Sequence, residues 1–260
     1  MKLEVLISCM HQNDVSIIER SNIQSDALII NQCDIDRVDL CEFFNKKGEK
    51  CKVRMISTTE RGLSRSRNMA MKNAQGDVCL ICDDDEVMED DYVEKIVSAF
   101  EEYPKEDILA FSLKHPTRKY SSKSYPIGYF RSLRIGSIQI AFRRSDLVTS
   151  VSFCEKMGSG TGNGGGEENK FLIDCLRHGC KIRYVSKLIA SVAQTDSQWF
   201  HGYTPKYMCD KGWAARRIMG LLGGYLYILY FAIGKYYIYK KDNGFFDSLI
   251  ELHKGFFERR

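Results

Sequence analysis

Apolar and polar positions divide the chain into three stretches. In the first, apolar runs of strand length, Leu3 to Cys9, Ala27 to Asn31, Lys52 to Ile56 and Asp77 to Cys82, alternate with segments of helical period. Continuous rather than alternating runs predict strands buried on both faces, hence a largely parallel sheet. Leu63, Arg67, Ala70, Met71 and Ala74 recur at helical spacing before Gly76, which reads as the C′ residue of a helix. Tyr92, Val93, Ile96, Val97 and Phe100 do the same ahead of Pro104. This is the βαβ rhythm of an open α/β sheet, whose ligands sit at the carboxyl ends of the strands.

The second stretch, from about Lys114 to Arg144, is rich in Ser, Arg and Tyr and contains a strand-like run, Ile135 to Phe142. The run MGSGTGNGGG, Met157 to Gly166, holds too much glycine for regular structure. It leads into Glu167 and a helix expected to bury Phe171, Leu172, Cys175 and Leu176 and to close at Gly179. A further strand is expected at Lys181 to Ser186.

The third stretch changes character. No residue from Ile218 to Gly234 is charged, whereas Lys211, Arg216 and Arg217 precede it and Lys235, Lys240 and Lys241 follow it. A bilayer span needs about 20 predominantly apolar residues, and this run contains several Gly and Tyr. It reads as an interfacial helix or hairpin at an anionic cytoplasmic membrane face, the plainer alternative being a helix packed on the domain.

Composition narrows the classes. The chain has 260 residues, 44% hydrophobic, with 38 Lys+Arg against 34 Asp+Glu, so it can bury a sizeable core and is neither disordered nor fibrous. A formal charge of +4 from nearly balanced charges gives no reason to expect a nucleic-acid partner. Ten cysteines without a regular framework in a chain this long point to a reducing cytosol. The N-terminal apolar run is too short for a signal sequence.

The acids carry the sharpest chemistry. Val78 to Cys82 is an apolar strand that stops abruptly in Asp83, Asp84, Asp85 and Glu86. Like charges massed at one strand end repel unless a cation resides there, and carboxylate oxygens suit Mg²⁺ or Mn²⁺. In an extended chain Asp83 and Asp85 point one way and Asp84 the other. Glu89, Asp90 and Asp91 are explained by the positive end of the helix they open. Cys79 and Cys82, a CxxC on paper, fall on opposite faces of a strand and read as core residues. Upstream, Arg61, Arg65 and Arg67 approach a helix N-terminus, where amides and guanidinium forks bind phosphate. Arg65 and Arg67 lie about 200° apart on that helix, so one should face a ligand and the other solvent.

The run from Arg61 to Glu86, with RGLSRSRN, AQGD and ICDDDE, together with the later Gly-Glu-Glu, resembles family 2 glycosyltransferases, inverting enzymes of the GT-A fold. The resemblance covers about residues 3 to 190. It implies an α/β fold with a mostly parallel central sheet, a domain over residues 1–208 with a nucleotide-binding half (1–113) and an acceptor half (114–208), and a C-terminal helical extension over 209–260. It implies that Asp83 binds the nucleotide ribose or the metal and that Asp85 binds a Mn²⁺ or Mg²⁺ cofactor. Arg67 would be a diphosphate or uracil-side contact, with Arg61 and Asp84 among the nucleotide-sugar contacts, and Ser8 and Cys9 would touch the nucleoside. Where the family often places acids after the second strand, this chain has Asn31, Gln32 and Cys33, and the amide of Gln32 could pair with uracil.

Gly160, Gly162 and Gly165 satisfy GxGxxG formally but do not follow the first strand of a βαβ unit, so a mobile loop beside the site is the better reading. Glu167 and Glu168 could simply cap the helix they begin. The resemblance makes one of them, Glu168 first and Glu167 second, the general base, kept ionised by the helix N-terminus. His201, in the aromatic run Ser197 to Tyr203, could touch the metal or the diphosphate. The partners implied are a nucleotide-diphosphate sugar, a glycan or lipid-linked saccharide acceptor and a cytoplasmic membrane surface. Two other readings stay open: a haloacid-dehalogenase-like phosphatase with Asp83 as nucleophile, because Val78 to Val87 matches its strand-plus-acid motif, and a non-catalytic, membrane-associated nucleotide-sugar-binding module.

Overall fold

Leu3, Val5, Leu6 and Ile7 are each at most 3% exposed, as a strand covered on both faces requires. They belong to the central strand of the computed structural model, which describes residues 1–192 and 202–260. The chain runs β1 (Leu3–Met10), α1 (Ile17–Arg20), β2 (Asp26–Gln32), β3 (Arg37–Phe44), β4 (Lys50–Thr58), α2 (Leu63–Asn73) and β5 (Val78–Asp83). There follow β6 (Glu86–Met88), α3 (Tyr92–Glu102), β7 (Ile108–Lys114), β8 (Tyr125–Ile127), α4 (Tyr129–Ser132), β9 (Ile140–Arg143) and α5 (Asp146–Thr149). The last elements are α6 (Glu167–Arg177), β10 (Ile182–Val192), α7 (Pro205–Gly234), α8 (Tyr236–Tyr239) and α9 (Phe245–Phe257).

The strands form one mixed sheet in the order β3-β4-β2-β1-β5-β9-β7-β10-β6, with β8 beside β10. The inner block β4-β2-β1-β5 is parallel, as the buried runs require, and it pairs Ser8 with Asp83 at the carboxyl ends of β1 and β5. Cys79 and Cys82 enter different cores on the two sides of the sheet, which rules out a shared metal or a redox pair.

Several expectations need correcting. Gly76 does not cap α2, which ends at Asn73 and passes into extended Ala74. It is needed for close approach instead, because a Cβ there would lie 2.7 Å from the Cβ of Glu4. The expected strand at Ile135 to Phe142 begins with a 3₁₀ turn at Ser137–Gln139 and is extended only over Ile140–Arg143. The strand expected at Lys181 to Ser186 runs on to Val192, with register shifts against β7. In α6 the buried face holds Phe171, Leu172 and Cys175 as expected, with Ile173 in place of Leu176.

The C-terminal segment is a hairpin. By length and composition α7 could cross a bilayer, with 30 residues and a mean hydropathy of 1.4 in its most apolar stretch. Gly220, however, is non-helical at φ 75°, a conformation glycine adopts without a Cβ penalty. Beyond it the chain folds back. Lys211 Nζ lies 4.5 Å from the ring of Phe231, residues that a straight helix would hold about 30 Å apart. Burial among Tyr207, Tyr227 and Phe231 draws the Lys211 pKa down to about 8.

The first arm of this hairpin is fastened to the domain through Trp213, Ala214 and Ile218, which pack on Met157 and Ile173. The 208/209 boundary expected from the sequence falls inside that arm. α9 packs against α7 with almost no space between backbones: a Cβ at Gly212 would overlap the carbonyl of Leu252, and one at Gly255 the carbonyl of Cys209. Gly255→Ala should therefore destabilise the protein by about 1–3 kcal/mol, the usual cost of overpacking. Chemical denaturation checks this, and an unchanged midpoint would contradict the close packing.

Candidate active site

The site is built where β1 and β5 end, beside the N-termini of α2 and α6. Arg67, one turn into α2, points inward and is 2% exposed, while Arg65 is exposed, as their angular separation demands. Arg67 Nη2 donates to both oxygens of Asp83 at 2.9 Å, and Nη1 donates to Glu167 Oε1 at 2.9 Å. Burial alone would lower the pKa of this guanidinium, but Asp83 and then Glu167 outweigh it and raise it. The arginine thus joins the acidic strand end to the N-terminus of α6, 100 residues further along the chain. Its Nε is buried without a hydrogen-bond partner, and the guanidinium stands 5.6 Å from the ring of Phe153. Both Nη groups thus bond carboxylates.

The acidic turn is held from within. Glu86 is 3% exposed, and its carboxyl accepts the backbone N–H of Asp83 at 2.8 Å. Burial, and next the charge of Asp83, push the Glu86 pKa well up. Asp84 and Asp85 are exposed at the tip of the turn. Ser137 Oγ donates to Asp83 Oδ2 at 3.3 Å, and Ser66 Oγ donates to Ser8 Oγ at 2.8 Å. The sequence marks neither Ser137 nor Ser66, and it shows Glu86 only as the last member of the acidic cluster. Only the solitary apolar neighbours of Glu86, Val87 and Met88, hint that it turns back into the fold.

The nucleoside side is also placed. Cys9 is buried, and burial pushes its thiol up to about 12, so it is a packing residue without nucleophilic character. Gln32 donates through Nε2 to the carbonyl of Gly62 at 3.1 Å. Arg61 donates through Nη2 to Asp34 Oδ1 at 2.7 Å and through Nη1 to the carbonyls of Cys33 and Thr59 at 2.8 Å. The N-terminus of α2, expected to offer amides to a diphosphate, is partly covered by the glycine-rich loop. Leu63 N donates to Ser159 O at 3.1 Å, and Ser64 Oγ to Met157 O at 2.8 Å.

The two glutamates differ in their surroundings. Glu167 is 7% exposed and occupied, accepting from Arg67 and, through Oε2, from the N–H of Gly166 at 3.1 Å. Glu168 is only half-buried, and no side chain is bonded to its carboxyl among the described residues. Its surroundings do not keep it ionised as the helix N-terminus alone would. Burial first, and the charge of Glu167 second, push it up to about 8, against the smaller opposing pull of Arg67.

Among the described residues no three His, Cys, Asp or Glu side chains converge as a complete metal cage. A divalent cation in a phosphate-transfer type of site takes only one or two carboxylates, the remainder of its shell coming from substrate oxygens and water. Exposed Asp85 with Asp83 beside it fits that donor set. His201 lies outside the described residues.

A mixed sheet of this order, with an acidic turn at the end of an inner strand and paired glutamates opening a later helix, is the GT-A architecture. The chain belongs to glycosyl transferase family 2, whose model matches residues 16–157. No curated protein matches its sequence. Among solved structures it is similar to S. aureus TarS 1–349 in complex with UDP-GlcNAc, at a TM-score of 0.59 and 17% identity, covering 94% of this chain and 75% of that one. It is also similar to the mannosyltransferase PcManGT of Pyrobaculum calidifontis in complex with GDP-Man and Mn²⁺, at a TM-score of 0.55 and 12% identity, covering 100% and 88%. The phosphatase alternative falls with the family match.

Proposed function

We propose that this chain is an inverting, metal-assisted glycosyltransferase that moves a sugar from a nucleotide diphosphate, of the uridine type, to a hydroxyl of a glycan or lipid-linked acceptor. The observation that carries the reading is the Arg67 bridge, which gathers Asp83, Glu167 and Glu168 into one electrostatic unit. The UDP-GlcNAc and GDP-Man complexes of the two similar folds support a nucleotide-sugar donor here. Asp85, with Asp83, would hold Mn²⁺ or Mg²⁺, which supplies positive charge to the diphosphate leaving group. Glu168, matched to a neutral working pH, would take the proton of the acceptor hydroxyl as its oxygen attacks the anomeric carbon from the face opposite the diphosphate. Asp83 is held in one rotamer by its two bonds to Arg67 and orients the donor.

The test is thermal unfolding against a panel of uridine and guanosine diphosphate sugars, with and without Mn²⁺. A donor at 100 times its Kd stabilises by about 2.7 kcal/mol. The expected result is a rise in Tm for one donor that needs the metal and disappears in Asp85→Asn. If a folded protein responds to none of the panel, the donor assignment is wrong. If donors bind but no sugar is transferred to any acceptor hydroxyl or to water, the chain is a binding module.

A further inference from the structure

The second arm of the α7 hairpin has an outer face with no partner inside the protein. Gly224, Ile228, Phe231 and Ala232 turn inward and are buried. The opposite stripe, Leu222, Leu226, Tyr230 and Ile233, follows a helical period and is 55–75% exposed; Leu221 beside the Gly220 turn is 60% exposed, and Tyr237 in α8, just past the end of the arm, is 64% exposed. Scattered exposed apolar residues need no explanation, but an uninterrupted stripe of them marks a contact surface.

Length decides what kind of contact. The arm from residue 221 to 234 rises about 21 Å at 1.5 Å per residue. A hydrocarbon core is about 30 Å thick, so the arm falls short of spanning it and instead suits the boundary between headgroups and acyl chains. Charge decides the partner. Lys235, Lys240 and Lys241 follow the stripe, no acid lies between residues 235 and 241, and none of the three is ion-paired among the described residues. Tyr230 and Tyr237 carry the amphipathic rings favoured at a membrane interface.

We infer that this arm lies on an anionic lipid bilayer, its leucine and tyrosine stripe set shallowly among the acyl chains and the three lysines on the headgroups. A second copy of the chain would find no acidic counterpart to those lysines on the same stripe, whereas anionic lipid neutralises them. The inference concerns attachment only and stands whatever reaction the acid cluster performs.

Flotation of the full chain with vesicles tests it, one set of phosphatidylcholine alone and one with about a third phosphatidylglycerol. The expected result is capture by the anionic vesicles that weakens as salt is raised, because exposed charges are screened beyond about 10 Å at 0.1 M. Each lysine near the surface contributes about fivefold, so replacing all three by Gln should weaken binding about 100-fold. Leu226→Glu with Ile233→Glu, both at exposed positions, should abolish capture while leaving Tm within a few degrees of the parent. Failure of the folded parent to float with anionic vesicles overturns the inference. So does a concentration-dependent dimer, seen by sedimentation, that the same glutamate pair dissolves while vesicle capture stays absent.

Discussion

Arg67→Met should lower the stability of the protein by about 3–5 kcal/mol, the cost of removing one partner from a buried ion pair and leaving the other uncompensated. Asp83 and Glu167 would lose their shared counter-ion, and Glu167 is too enclosed to be rescued by water. For a chain of this length each kcal/mol moves Tm by about 2–4 °C, so a fall of roughly 10 °C is expected in a thermal melt. Arg67→Lys should recover only part of it, because a single ammonium cannot present the two Nη groups that reach the two acids. Glu167→Gln in the Arg67→Met background separates the causes: if the deficit comes from the stranded carboxylate, the double variant is more stable than the single one. A single variant within 1 kcal/mol of the parent would show that the bridge does not hold the site together.

Glu168→Gln is expected to reduce sugar transfer by about 10²–10⁴-fold, the range lost with a general base, while donor binding stays nearly intact. The same variant should be more stable than the parent in mild alkali. The Glu168 carboxyl is raised in the folded protein to about 8 from its ordinary 4.5. A raised carboxyl favours the folded state only while it stays protonated. Its contribution is therefore complete below the unfolded value and is lost progressively as pH climbs through the folded value. Glutamine cannot ionise and escapes that loss. Discounting for the solvent that reaches a half-buried group, the gain is about 2 kcal/mol at pH 9 and close to nothing at pH 4. Parallel melts at the two pH values check the sign. A bound divalent cation would move the titration down, so the parent should show rate rising with pH at a lower value with Mn²⁺ than the melt alone suggests. Equal loss of donor binding and transfer would move the base to another residue.

Much of this site was legible because its signals are local. The buried strand that stops in four acids, the helical spacing of Ala70, Met71 and Ala74, and the angle separating Arg65 from Arg67 each depend on a few neighbouring residues. The two sides of β5 were legible for the same reason, since a period of two puts Cys79 and Cys82 on opposite faces. What was not legible depends on distant partners. Nothing near Arg67 in the sequence shows that Glu167, 100 residues away, accepts from one of its nitrogens. Glu168 looks ionised at its helix end until Glu167 and burial are counted. β3 escapes notice because it is an edge strand whose outward residues Val38 and Leu40 are as exposed as loop residues, while only Cys41 and Phe43 touch the core. β7 has an apolar run, ILAFSLK, that periodicity could have found. The 218–234 run reads as one continuous apolar segment, and the backbone of Gly220 shows that a reversal falls inside it.

The glycine-rich loop has a further consequence, for the order in which the protein is made. Its inner side rests on residues synthesised early, through Leu63 and Ser64. Its outer side waits for residues synthesised late: Lys206 Nζ donates to Gly162 O at 3.1 Å, and Arg260 Nη1 donates to Asn163 Oδ1 at 3.0 Å. The parallel strands can pair on the ribosome as they emerge, since domains assemble from the N-terminal side during synthesis. The outer side of the loop cannot be clasped by Arg260 until that residue has left the exit tunnel, so a nascent chain carries its acidic turn and Glu168 long before the loop beside them is fastened on both sides.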